Sequence, residues 1–140
     1  MKSASETKCD DLITFFNAIK QQLLQLGERQ GLTPVQVGVL YWLHRHGELA
    51  MGQVAQVMHC DASNVTGIVD RLVAQDLVSR QESARDRRTK TLRLTDKGVR
   101  IVEQVLQQLP SAIGWDQLSN DECALLHKIA QCTRTQNTVG

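Results

Sequence analysis

Between Val78 and Gly98 the chain reads VSRQESARDRRTKTLRLTDKG, and its guanidinium groups are the side chains best suited to chemistry. A guanidinium holds phosphate or carboxylate oxygens through paired, charge-assisted hydrogen bonds. From Arg80 to Arg100 there are eight basic residues (Arg80, Arg85, Arg87, Arg88, Lys90, Arg93, Lys97, Arg100) against three acidic ones (Glu82, Asp86, Asp96), a local charge of +5. The whole chain carries only +1, so everything else sums to −4. A nearly neutral protein that gathers its positive charge on one segment is built to meet a polyanion there. Bond-making chemistry is not indicated. The chain has no Gly-rich phosphate loop, no GxSxG elbow and no HExxH, so no catalytic residue is assigned and no enzyme is expected.

The elements that must carry these arginines are legible around them. Val78 to Glu82 and Thr89 to Leu94 fit two strands, with Leu92 and Leu94 on one face and Arg93 on the other. The basic loop is then the tip of a β-hairpin. Before it, Asp61 is placed to cap a helix running to about Gln75, with a core stripe of Val65, Ile68, Val69 and Leu72. A shorter helix from about Gly52 to His59 precedes that one, and the tight polar turn at Cys60 to Ala62 makes the pair a helix-turn-helix. The second helix shows Ser63, Asn64, Thr66, Gly67, Asp70 and Arg71 away from its core stripe. Its first turn is small and polar, which suits a helix whose N-terminal residues must approach base edges.

The flanking segments read as helices too. Leu12, Phe16, Ile19, Leu23 and Leu26 form a seam that ends near Gly31 and suits packing on a second subunit. Thr33-Pro34 opens a largely buried helix that Gly47 stops, and a brief extended piece follows from Glu48 to Met51. Thr95 caps a helix carrying Val99, Val102, Leu106, Leu109 and Ile113, which Pro110 should bend. Ser119 with Glu122 makes a capping box for a last helix with Leu125, Leu126, Ile129 and Cys132 on its apolar side. The expected fold class is mainly α with a small β-hairpin wing. Its winged helix-turn-helix (32–96) lies between helical dimerisation regions (9–31 and 97–135), with flexible tails at 1–8 and 136–140, all in one domain of 140 residues.

No apolar run approaches the roughly 18 residues of a membrane span, and no apolar segment follows the N-terminal lysine. A cytoplasmic location is expected. Four scattered cysteines (Cys9, Cys60, Cys123, Cys132) without a CxxC pair suggest reduced thiols rather than a disulfide framework. His44 and His46 lie about 200° apart around a helix, and no carboxylate cluster completes a set with His59-Cys60. No metal and no cofactor are expected.

The segment VTGIVDRLVAQDLVSRQESARDRRTKTLRLTDKG resembles the signature of the MarR family, the multiple-antibiotic-resistance type regulators. Asp70-Arg71-Leu72 ends the recognition helix, Asp86-Arg87-Arg88 stands at the wing tip, and Leu94-Thr95 opens the next helix. Leu32-Thr33-Pro34 and Leu118-Ser119-Asn120-Asp121-Glu122 also look like family landmarks, so the resemblance spans roughly Leu12 to Cys132. It implies a homodimer that places two winged helices in successive major grooves of a pseudo-palindromic operator, half-sites roughly 34–36 Å apart.

On that resemblance Ser63, Asn64, Thr66 and Gly67 sit in the groove, Arg71 holds phosphate, and Arg88 enters the minor groove. Arg85, Arg87 and Lys90 contact the backbone. Asp70, paired with Arg88, and Asp86 orient the wing. The likeness further implies a repressor released by a small-molecule effector or by thiol oxidation. The effector would lie between the first, second and fifth helices, with Phe16, Ile19, Trp42, His46 and Ile101 as lining residues, and Cys9 is the candidate redox thiol. The alternative is a winged-helix protein-interaction module without specific DNA binding. Its weakness is that the turn from Ala62 to Gly67 lacks the apolar or aromatic anchors of a docking surface.

Overall fold

Short-range capping decides where the helices begin. The computed structural model describes residues 3–136, with side-chain surroundings through residue 133. Of the expected tails, residues 1, 2 and 137–140 lie outside the described residues. Helix α1 spans Ala4–Glu28 and so starts earlier than its apolar seam. Ser3 Oγ accepts the Glu6 N–H at 3.2 Å, and the Glu6 carboxylate accepts the Ser3 N–H at 2.6 Å. That capping box carries the polar residues 4–8 into the helix, where apolar periodicity alone gave no signal. Helix α2 (Pro34–His46) repeats the device, with Thr33 and Gln36 exchanging bonds of 3.3 and 2.8 Å and proline in the first turn.

The chain divides into two compact units, Met1–Leu109 and Pro110–Gly140. In the first, strand β1 (Glu48–Ala50) leads into α3 (Met51–Met58) and α4 (Ala62–Ala74). The hairpin strands β2 (Val78–Glu82) and β3 (Lys90–Leu94) follow, and then helix α5, which begins at Asp96. The three strands form an antiparallel sheet in the order β1-β3-β2, with Leu49 opposite Leu92 and Arg80 opposite Leu92 from the other side. The extended piece after α2 is therefore the sheet's third strand. The core gathers Leu40, Leu43, Val54, Val65, Val69, Leu72, Leu77 and Val102, all buried. It clamps the helix-turn-helix against α2 and α5.

Three helix ends share one closing motif. Gly31 (φ 69°), His59 (φ 50°) and Asp76 (φ 59°) are left-handed, and the following N–H of Leu32, Cys60 or Leu77 returns to Gly27, Ala55 or Leu72. These 6→1 bonds satisfy carbonyls that a helix end leaves open. In two of the three, the next side chain (Leu32, Leu77) is buried and pins the exit.

The wing is closed at its base by a tight junction between α4 and α5. The Leu77 carbonyl accepts the Thr95 N–H at 3.1 Å, Thr95 Oγ1 donates to the Asp76 carbonyl at 2.7 Å, and the Gly98 N–H donates to Thr95 Oγ1 at 3.0 Å. Thr95 thus caps α5 as expected and also staples the hairpin. Gly98 is buried here, and a Cβ on it would overlap the Leu77 carbonyl.

In the second unit, α5 ends at Ala112, two residues beyond Pro110, whose ring removes a backbone donor. A short 3-10 helix (Trp115–Gln117) and α6 (Asn120–Gln136) follow. Ser119 and Glu122 form the expected capping box at 2.7 and 3.3 Å. The Ser119 backbone N–H, helped by its hydroxyl, holds the Glu122 carboxyl below its ordinary value. A lowered carboxyl pKa supports folding above the carboxylate range, and that support fades as acid protonates Glu122. Cys132, expected on a core stripe, is exposed, as are Leu125 and Ile129.

The Gly98→Ala variant should lose about 3 kcal/mol in urea unfolding, because the methyl has no room against backbone. Gly52→Ala, which meets open space on α3, should change stability by less than about 1 kcal/mol and in the stabilising direction.

Candidate nucleic-acid interface

Helix α4 turns its two faces to different media. Val65, Val69 and Leu72 are buried, whereas Ser63, Asn64, Thr66, Gly67, Asp70 and Arg71 are exposed. A Cβ on Gly67 would meet nothing within 4 Å, so the helix surface there is open to close approach. Asp61 occupies the N-cap position but makes no side-chain capping bond, which leaves the first-turn N–H groups of α4 available. The Thr66 hydroxyl donates to the Ala62 carbonyl at 2.9 Å and so is tied to its own helix. Ser63, Asn64, Gly67 and Arg71 share a shallow cleft with Val35, Cys60 and Ile68.

The wing tip is shaped by two short polar side chains. Asp86 Oδ1 accepts the Arg88 N–H at 2.9 Å, and the Asp86 carbonyl accepts the Thr89 N–H at 3.0 Å. Ser83 Oγ accepts the Arg85 N–H at 3.2 Å, and the Ser83 N–H returns to the Thr89 carbonyl at 2.8 Å. Such side-chain turns fix the backbone without consuming the arginine heads. Arg85, Arg87, Arg88 and Lys90 are exposed and have no ion-pair partner among the described residues; Arg71 is the same.

The pairing expected between Asp70 and Arg88 is corrected by the structure. Asp70 pairs with Arg80, whose side chain donates to Asp70 Oδ1. Arg80 sits on β2 just after α4, whereas Arg88 lies in the loop beyond the last strand pair, Glu82 with Lys90. A helix-face carboxylate reaches the proximal part of the strand and not the tip. A second bridge went unread in the sequence: Arg93 Nη2 and Nε donate to Glu48 Oε2 at 2.6 and 3.0 Å. It joins β3 to β1 across directly opposed positions. The only sequence trace of it was opposite charge on two segments whose register was unknown.

Phe16, Ile19, Trp42, His46 and Ile101, the expected effector-lining residues, are not among those that line the apolar cavity of the first unit. A cavity of about 340 Å³ does lie among α1, α2 and α5, but Leu23, Val37, Tyr41, Val105, Leu106 and Leu109 are among the residues that line it. Phe16 is exposed, and Ile19 lies one turn before Leu23. Trp42 sits about a quarter-turn from the lining face of α2 and stacks on His46, with ring centroids 5.7 Å apart. Ile101 lies one turn short of Val105. Ile19 and Ile101 thus share a stripe with lining residues but stand one turn away along the axis, whereas Trp42 differs in rotation. Cys9 is exposed on α1, and Cys60 is half-buried with its thiol donating to the Met58 carbonyl at 3.3 Å. Among the described residues no His, Cys, Asp or Glu group could hold a metal, and no helix is long and apolar enough to cross a membrane.

Residues 30–89 match the model of the MarR family. The HTH-type transcriptional repressor MdtR of Bacillus subtilis is 38% identical over 109 residues, covering 76% of this chain and 70% of that protein. The crystal structure of the YusO protein from Bacillus subtilis is 31% identical with a TM-score of 0.65, over 99% of this chain and 100% of that one. A mutant MarR from Escherichia coli, complexed with operator DNA, shares the fold at a TM-score of 0.69 and 22% identity, over 87% of this chain and 89% of that one.

The Asp70–Arg80 pair is half-exposed, with side-chain exposures of 55% and 41%. A double-mutant cycle of Asp70→Asn and Arg80→Gln should therefore give a coupling below about 1 kcal/mol in urea unfolding. A much larger coupling would mean that the pair holds the fold and does not merely aim the wing.

Proposed function

The chain belongs to the MarR family, and from that premise we propose that it is a homodimeric, sequence-specific DNA-binding transcriptional regulator acting as a repressor on a pseudo-palindromic operator. One observation carries the reading. The open polar face of α4 stands directly before a wing whose four outermost cations have no ion-pair partner among the described residues. Ser63, Asn64 and Gly67 are proposed to approach base edges, while Arg71, Arg85, Arg87 and Lys90 neutralise phosphates. Arg88 enters the minor groove from the tip that Asp86 shapes. Thr66 contributes through its methyl group, because its hydroxyl already has a partner.

Dimerisation is supported by the apolar seam of α1. Leu12, Ile13 and Phe16 are 59, 61 and 60% exposed, too much apolar surface in one stripe to face water unaided. Release is proposed to occur through a small apolar molecule in the cavity among α1, α2 and α5. Thiol oxidation at Cys9 has only that residue's exposure behind it. A regulator of this kind works in the cytoplasm, where it meets DNA.

Counterion release gives a direct test. If Arg71, Arg85, Arg87 and Lys90 of two protomers each neutralise one phosphate, the slope of log affinity against log salt should be about −7. Arg88→Ala should weaken binding about 10- to 100-fold, whereas Asn64→Ala should alter sequence preference more than total affinity. No mobility shift on duplex DNA at any salt would favour the protein-interaction reading instead. Phe16→Glu should leave the monomer folded but shift sedimentation toward the monomer.

A further inference from the structure

We propose that the shallow cleft between α4 and the start of α2 reads the methyl group of a thymine, which makes Val35 a specificity-determining residue outside the recognition helix. This role rests on the proposed DNA-binding function and adds to it a contact from α2. The cleft measures about 400 Å³ and is lined by Ser63, Asn64 and Gly67, the α4 residues proposed to approach base edges.

The rest of its lining is largely apolar. Val35 is 42% exposed in the first turn of α2, and Cys60 and Ile68, both half-buried, share the cleft with it. The Cys60 thiol already donates to the Met58 carbonyl at 3.3 Å, so it makes no polar demand on whatever enters. At Gly67 no side chain stands in the way, since a Cβ there would meet nothing within 4 Å. Ser63, Gly67 and Arg71 follow one another at four-residue spacing and so form one stripe of α4.

Duplex DNA offers this surface one apolar partner. Every base pair presents donors and acceptors in the major groove, but the apolar group there is the C5-methyl of thymine. Cytosine lacks it, and the purines turn a polar N7 to the groove. An apolar wall in the same cleft as Asn64 therefore selects the pyrimidine that carries a methyl. Arg71 lines the cleft too, is exposed, and has no ion-pair partner among the described residues, so it supplies the charge for an adjoining phosphate. A purely apolar ligand would leave Ser63, Asn64 and Arg71 unmatched. A thymine nucleotide matches both kinds of wall.

The test starts from a duplex that the full chain selects from a random pool, with each thymine replaced in turn by uracil. That exchange removes one methyl and keeps every hydrogen bond. At one thymine per half-site the affinity should fall about fourfold, and about 15-fold when both half-sites are changed, the worth of one buried methyl each. At the same position 5-methylcytosine should bind about fourfold more tightly than cytosine. Val35→Ala keeps the helix and changes no charge. Its melting temperature and its affinity for random-sequence duplex should match the parent, while the uracil penalty at that thymine should drop below about twofold. Uracil tolerated at every position would overturn the assignment. So would a penalty that Val35→Ala leaves unchanged, because the methyl would then be read elsewhere. A selection that enriches no duplex would strike the DNA-binding reading itself, and this role with it.

Discussion

The Leu77 carbonyl is the point on which the winged unit turns. It accepts the Thr95 N–H at 3.1 Å and lies against Gly98, where a Cβ would overlap it, so the end of α4 and the start of α5 are locked together. A hairpin on its own is marginal in water. This one is closed at its base by that junction and along its length by β1. The arrangement fixes where the wing leaves the body, and every cation on the wing inherits its position from it.

From that base outward the arginines divide by environment. Arg80 and Arg93, nearest the body, are tied to Asp70 and Glu48 and hold the hairpin to the α4 face and to β1. Arg85, Arg87, Arg88 and Lys90, further out, have no ion-pair partner among the described residues, and the backbone around them is held by Asp86 and Ser83 instead. Charge used for architecture is thus separated from charge kept for a ligand. Unpaired cations at one end raise the local potential, and phosphate is the partner that such a potential draws.

Features set by neighbours in sequence were readable in advance, and those set by distant register were not. Thr33-Pro34, Gly47, Thr95 and the Ser119–Glu122 box mark their helix ends because a cap acts within one turn. The hairpin strands were placed within one residue by alternation and turn residues. The partner of Asp70 was misread because it depends on which strand position packs beside α4, something no local pattern encodes. Which side chains line the cavity among α1, α2 and α5 depends on position along each helix as well as rotation about it: Phe16 and Ile19 share the stripe of Leu23, and Ile101 that of Val105, yet they stand outside the lining, whereas a quarter-turn separates Tyr41 from Trp42. Polar residues 4–8 were missed as helix because a capping box needs only Ser3 and Glu6, with no apolar stripe.

In the proposed function, α4 and its wing read duplex DNA as one unit, presented twice by a symmetric dimer. Selection of bound duplexes from a random pool measures this most directly. An inverted repeat with half-site centres about one helical turn, or 10–10.5 base pairs, apart should be enriched. Recovery of a single unrepeated site, or of no enriched sequence at all, would contradict it.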